Sequence, residues 1–262
     1  VTALESLLVG LRELPFPGAW LTLQILATLL ASLCFLHHTR DWPELRRCFA
    51  LALPFGLGGA LAFGALFRFV DFVAFGGPED FTGVSAFGAF AGLGAAFAVL
   101  VRRGGSNVFR ALDRLAPALL VLLGVGRVGC FAAGCDGGAV SSLPWAIRFP
   151  AGSQIFRAQV TRGLVLPSDH HSLAVHPSQL YEVLIVLPAA LALGIALRRQ
   201  HTPGRIFFAA TLAYCVARTG VDGFREGLRG VNYGQWTAVL TLIALLVAFP
   251  LASRRDTARH QA

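Results

Sequence analysis

The sequence predicts an all-α integral membrane protein of about seven transmembrane helices carrying a small extracytoplasmic head. Three observations predict it. Hydrophobic residues fill 55% of the 262 positions and charged residues 14%, giving a mean hydropathy of +0.65, far too apolar for a soluble domain of this length. All 22 Lys or Arg positions are arginine, and they gather at the ends of apolar runs rather than along one amphipathic face. That distribution reads the net charge of +8 as contact with an anionic membrane surface and excludes nucleic acid as a partner.

Apolar runs long enough to cross a bilayer fall at 18–37, 48–70, 84–101, 112–128, 178–197, 205–222 and 234–252. The first is read as a retained helix rather than a cleaved leader, because it has full spanning length and Glu5 and Glu13 accompany the lone Arg12 before it. Leu33 stands where a lipoprotein processing site before Cys34 would need a small residue. The second and third runs are dense in glycine (Gly56, Gly58, Gly59, Gly64; Gly88, Gly92, Gly94), which predicts close helix approach and places them at the tight centre of the bundle. The chain reads as one membrane domain, 1–262, with a head segment, 129–177, inserted between the fourth and fifth helices.

Orientation follows from the arginines. Arg40, Arg46 and Arg47, then Arg102, Arg103 and Arg110, then Arg198, Arg199 and Arg205, then Arg254, Arg255 and Arg259 mark cytoplasmic regions. The amino terminus, the acidic loop with Asp71, Glu79 and Asp80, the head segment and the 225–233 loop then face outward, and the carboxyl terminus is cytoplasmic. Arg148, Arg157 and Arg162 run against the rule, but their segment is long enough to fold by itself. Within it, 145–150 reads as a short strand and 163–167 as its partner.

Polar residues inside apolar runs carry the chemistry. The stretch from Gly124 to Ala139 ends the fourth run and holds Arg127 among glycines. Arginine at a membrane boundary grips an anion, and a glycine-rich turn brings backbone amides close to a phosphate. The alternative is a plain helix cap with a glycine turn. A nucleotide is a poor fit, since no phosphate-loop lysine and no preceding strand are present. Cys130 and Cys135 share this stretch; a structural disulfide is favoured, with zinc, helped by His170, His171 and His176, as the lesser reading.

Tyr214, Arg218 and Asp222 fall at i, i+4 and i+8 of the sixth run, on one helical face. They form either a structural ion pair or an electrophilic clamp. The block from His176 to Glu182 opens the fifth run, with His176 as cap, Pro177 as first helical residue, and Ser178 and Gln179 as capping residues. Glu182 lies inside the membrane boundary and needs an arginine partner, which Arg127 or Arg218 would supply. Arg68 beside Asp71 reads as a helix-end ion pair, and Phe63, Phe67, Phe69, Phe72 and Phe75 as lipid-facing or packing residues.

Taken together, Gly126-Arg127-Val128-Gly129-Cys130-Phe131 with Gly134 and Gly138, the block 176–182, and the spacing of Tyr214, Arg218 and Asp222 resemble the bacterial prolipoprotein diacylglyceryl transferase family over about residues 50–250. The resemblance implies a seven-helix inner-membrane fold with a periplasmic head and no cofactor. It implies transfer of the diacylglyceryl group of phosphatidylglycerol to the lipobox cysteine of a prolipoprotein signal peptide. By the same resemblance Arg127, Gly129, Gly134 and Gly138 bind the lipid, with Glu182 near its head group, and Arg218, Tyr214 and Asp222 are catalytic, Arg127 and Arg218 on the phosphate and Tyr214 and Asp222 orienting Arg218; with Phe87 in place of the family's histidine, His176 or Asp222 is the candidate base. Four positions depart from the family pattern. Phe87 stands where the family has a histidine, Cys130 and Cys135 replace an asparagine and a glutamate, and Asp222 replaces a glutamate. Two further readings stay open: an anionic-lipid binding or transport protein without catalysis, and thiol redox work by Cys130 and Cys135.

Overall fold

The computed structural model describes residues 18–75 and 86–225, together with positions 238, 241 and 243, each of which is helical. The expected seventh span, the acidic loop, the 226–233 loop, the side chains of Asp71 and Phe87, and both chain ends lie outside the described residues. Among the described residues the helices are α1 (Gly18–His38), α2 (Pro43–Phe75), α3 (Ala86–Arg103), α4 (Val108–Ala133), α5 (Gln154–Thr161), α6 (Ser178–Ala196) and α7 (Arg205–Asp222). Four of them, α1, α2, α4 and α6, are long and apolar enough to cross a membrane. The protein is a multi-pass membrane protein.

The described residues divide into two compact units, one of residues 35–115 and one of those before 35 and after 115. In the first, α2 and α3 pack through glycines, as their density predicts. A Cβ at Gly59 would strike the Gly88 carbonyl, one at Gly88 the Gly59 carbonyl, and one at Gly92 the Phe55 carbonyl. Backbone therefore lies on backbone, which only small residues permit. Elsewhere along α2, Leu51, Phe55, Leu57, Leu66, Phe69 and Phe72 are exposed, an apolar surface. Rings of Phe35, Phe49 and Phe97 stack at the other end, with centroids 4.4 and 6.0 Å apart around Phe35. The α1–α2 turn is tied by Arg46, which donates to the carbonyls of Thr39 and Leu36, and by Arg114, which donates to both Asp41 carboxylate oxygens at 2.5 and 3.0 Å.

In the second unit α6 and α7 pack along an apolar seam of Val186, Ala190, Ile206, Ala210 and Ala217, which Ala116 and Leu120 of α4 complete. The α4 helix runs to Ala133, past the expected end at 128. Its interior glycines survive there because side chains fill their places: Gly124 is covered by Leu187 and Gly126 by Gln24, whose amide donates to the Gly126 carbonyl at 3.2 Å. The helix stops at Gly134, which takes a φ of +64°. The Cys135 amide donates to the Cys130 carbonyl and the Gly134 amide to that of Phe131, both at 3.1 Å, the paired bonds of a Schellman cap.

The segment between α4 and α6 folds over a small core of its own, Phe131, Ile147, Phe149, Ile155 and Val175. Its strand pairing differs from expectation. Residues near 147 and 150 bridge to Val175 and His171, whereas 163–167 comes after the unpredicted helix α5 as a turn. The reason is local: Ser153 accepts from the Phe156 amide and starts a helix, which carries the chain past the point where a hairpin would return.

Gly88→Leu should cost about 1–3 kcal/mol of stability by forcing α2 and α3 apart. Gly94→Leu, where nothing lies within 4 Å, should change it by less than about 0.5 kcal/mol. Thermal unfolding of detergent-solubilised protein measures both; equal losses at the two positions would refute the packing account.

Candidate functional site

Glu182 is the centre of the site. It sits one turn into α6, fully buried, where an uncompensated carboxylate would be untenable. Its Oε2 receives Arg127 Nε of α4 at 2.9 Å and Arg218 Nη1 of α7 at 3.4 Å. Two guanidinium groups from separate helices thus converge on one oxygen, and both partners anticipated for Glu182 are present. Arg218 also approaches Asp222 Oδ2 with its Nε at 3.3 Å, one turn along the same helix face. Tyr214 lies one turn the other way, packed against the α6–α7 seam. Two carboxylates, Glu182 and Asp222, thus hold Arg218.

A residue that the sequence pattern did not single out closes the cluster. Arg225 comes just after α7 and reaches Asp222 Oδ1 at 3.4 Å, Asp136 Oδ2 at 3.2 Å and the Asp136 carbonyl at 2.7 Å. Asp136 in turn takes Arg127 Nη1 at 2.6 Å. Three guanidiniums, Arg127, Arg218 and Arg225, are therefore interleaved with three carboxylates, Asp136, Glu182 and Asp222. Asp136 is the one described non-glycine residue at positive φ, +62°, which aspartate tolerates better than most residues. Burial by its surroundings raises the Asp136 carboxyl, but Arg225, Arg127 and Arg218 outweigh it and hold the group well below the usual carboxylate range. An acidic residue nine positions after Arg127 was the available signal.

The glycine turn has another job than the one expected. Gly129 is inside α4. The amide of Gly134 is spent on Phe131 and that of Gly138 on the His176 carbonyl, so neither is offered to a ligand. These glycines provide room instead: a Cβ at Gly134 would lie 2.8 Å from Ser153 Cβ, and one at Gly138 2.6 Å from His176 Cβ and the Phe224 carbonyl. Ser178 and Gln179 do not cap α6. Ser178 Oγ donates to the Asp136 carbonyl at 3.0 Å and Gln179 Nε2 to the Cys135 carbonyl at 2.5 Å, so the start of α6 holds the turn after α4. Pro177, not His176, occupies the cap position. The His176 ring instead meets the Tyr181 hydroxyl through Nδ1 at 3.2 Å, and Trp145 Nε1 donates to the same hydroxyl at 2.7 Å. Phe224 packs on both rings.

The expected disulfide is not formed. Cys130 and Cys135 are free thiols, half-buried, with Cys135 Sγ 3.3 Å from the Cys130 carbonyl. Hydrogen bonding to Cys130, then burial, push the Cys135 thiol up. Gln179 Oε1 and Glu182 Oε1 are among the buried side-chain atoms with no hydrogen-bond partner among the described residues, so the cluster keeps polar capacity unused.

Residues 18–251 match the family described as prolipoprotein diacylglyceryl transferase. The chain belongs to that family. Relatives named phosphatidylglycerol--prolipoprotein diacylglyceryl transferase include that of Proteus mirabilis, 30% identical over 68% of this chain and 65% of its own length. The Chromobacterium violaceum protein of that name is 34% identical over 64% of this chain and 65% of its own. That of Clostridium tetani is 27% identical over 77% and 79%. The chain thus spans slightly less than two thirds of the first two. In the turn after α4 the carboxylate that reaches Arg127 is Asp136, the residue after Cys135.

Glu182→Ala should destabilise the protein by about 3–5 kcal/mol, because two buried guanidiniums lose their common partner. Denaturant unfolding in detergent checks it, and wild-type stability would show that the cluster holds nothing together. The stabilising effect of Asp136 should be complete above about pH 4, the unfolded carboxyl's range, and fade as the pH falls toward the lower folded value. The gap in melting temperature between wild type and Asp136→Asn should accordingly be constant from about pH 7 to about pH 5 and shrink below about pH 4.

Proposed function

We propose that this protein transfers the diacylglyceryl group of phosphatidylglycerol to the thiol of the lipobox cysteine in prolipoprotein signal peptides, the activity its relatives' names carry. The observation behind this reading is the meeting of Arg127 and Arg218 on Glu182, a paired cationic locus where an apolar helix bundle ends. In the reaction a bond forms between the thiol sulfur and the terminal glycerol carbon of the lipid, while the bond from that carbon to the phosphate oxygen breaks. Glycerol phosphate leaves with the bonding pair, and the thiol proton goes to a base and then to solvent or to the departing phosphate.

Charge builds on the phosphate as the bond breaks, so fixed guanidiniums there lower the barrier. Among the described residues the ion pairs of Arg127 and Arg218 use Nε and Nη1, and we assign their Nη2 groups to the phosphate. Glu182 and Asp222 hold the two arginines in register, Tyr214 lines the approach, and the glycines at 129, 134 and 138 admit the close packing that positions Arg127. His176, bonded through Nδ1 to Tyr181, keeps Nε2 for the thiol proton. Seven spans, an outward head that starts after α4, an outer amino terminus and a cytoplasmic carboxyl terminus complete the reading, with the cluster at the outer leaflet of the inner membrane.

Phe87, standing where the family has a histidine, favours a second reading in which the same arginines hold an anionic lipid without transferring it. One assay separates the two: solubilised full-length protein, phosphatidylglycerol and a lipobox peptide, with the thioether detected by mass spectrometry. Wild type should form the thioether, and Arg218→Ala should lower turnover by at least about 100-fold. Near-normal turnover of that variant would remove the mechanism. Retention of phosphatidylglycerol by wild type with no thioether would establish the lipid-binding reading.

A further inference from the structure

The cap that ends α4 puts two cysteines together. In a Schellman cap the third residue before the cap and the second after it fold onto one another, commonly as an apolar contact. Here those positions are Cys130 and Cys135, identified by the bond from the Cys135 amide to the Cys130 carbonyl and by Gly134 at positive φ between them. The Cys135 thiol turns back onto the Cys130 carbonyl at 3.3 Å. A disulfide needs Cβ atoms about 3.5–4.5 Å apart, a separation that the two residues folded onto one another by this cap approach with little backbone movement. Both residues are only half-buried, so a reagent has access. Of the other three cysteines, Cys34 and Cys48 lie in the helices α1 and α2 and Cys215 in α7, none of them beside this turn in sequence.

The neighbours of Cys135 give the pair its consequence. The Cys135 carbonyl is held by Gln179, and the adjoining residue, Asp136, bridges Arg127 and Arg225. We propose that Cys130 and Cys135 form a dithiol–disulfide redox site whose oxidation fixes the turn that presents Asp136 to Arg127 and Arg225. The oxidant is a disulfide, carried by a small thiol or by a thiol oxidoreductase. One thiolate of the pair attacks it to give a mixed disulfide and release a thiol. The second attacks the mixed disulfide, releasing the other thiol. Two thiols of this protein become one disulfide, two protons are lost from them, and the oxidant is reduced by two electrons to two thiols.

The test uses full-length protein in detergent, equilibrated in mixtures of oxidised and reduced glutathione, then denatured in an alkylating reagent and mapped by peptide mass spectrometry. A single reversible two-electron transition should join Cys130 to Cys135, while Cys34, Cys48 and Cys215 stay alkylated throughout. In Cys135→Ser the same titration should leave a glutathione adduct on Cys130 in place of the bridge. A second arm replaces glutathione with a dithiol oxidoreductase in its disulfide form. Bridging in that arm alone identifies a protein disulfide as the oxidant, and bridging in both identifies a small one as sufficient. Amide exchange at residues 134–138 should be at least about tenfold slower in the oxidised form. Alkylation of both cysteines across the whole range in both arms would overturn the site, and unchanged exchange would overturn its hold on the turn. None of these readouts depends on lipid transfer, so an inactive transferase with a working dithiol, and the reverse, are told apart.

Discussion

A carboxylate buried among apolar helices cannot stand alone, and Glu182 imposes that constraint on the whole second unit. Its fully enclosed side chain obliges α4 to bring Arg127 and α7 to bring Arg218, because leaving either charge unmatched in such a medium costs several kcal/mol. Once those three side chains meet, the azimuth of each helix about its axis is set. The apolar seam of Val186, Ala190, Ile206 and Ala210 packs the same helices, but apolar residues tolerate sliding, whereas three charges do not. The ion cluster is thus better understood as the element that fixes register than as a source of net stability.

The turn after α4 belongs to the same constraint. Arg127 lies within the last two turns of its helix, and its second partner, Asp136, lies beyond the helix end. For one guanidinium to touch both Glu182 and Asp136 the chain must reverse sharply, and Gly134 at positive φ provides the reversal. Ser178 and Gln179 then hold the reversed backbone by its carbonyls. The first turn of α6, which would otherwise need its own cap, is tied to its neighbour instead.

Much of this was legible in the sequence and some was not, for reasons that differ residue by residue. Charged residues inside apolar runs are rare enough to signal themselves, so Arg127, Glu182, Arg218 and Asp222 stood out, and the i, i+4 spacing on α7 fixed a common face. Glycine density likewise announced the α2–α3 contact. Glycine misled at 129, however, because in water it weakens a helix, while here Leu187 and Gln24 fill the space beside its neighbours and the helix runs on to Gly134. Arg225 and Asp136 gave no such signal, since each lies just outside a helix, where position depends on the fold of a turn. The strand partner was misjudged for a similar reason: composition favoured 163–167, whereas the helix started by Ser153 sent the return through 171–175.

Charge balance across the cluster bears on turnover. Arg127, Arg218 and Arg225 are matched one for one by Asp136, Glu182 and Asp222, so these six side chains together carry no net charge. An unbalanced set of three buried guanidiniums would bind any phosphate tightly, including the doubly charged product of the proposed reaction, and turnover would stall on release. A neutral, interleaved set binds an anion only through the few donors its ion pairs leave over, so attraction is limited to what geometry adds at the moment charge develops on the leaving oxygen. Asp136 is the adjustable member. Half of its side chain is exposed, against none of Glu182, and it rests on a turn rather than a helix. A shift of that one carboxylate away from Arg127 and Arg225 would leave the cluster a net cation, so in the proposed reaction the turn that carries it is the natural place to set how strongly phosphate would be held.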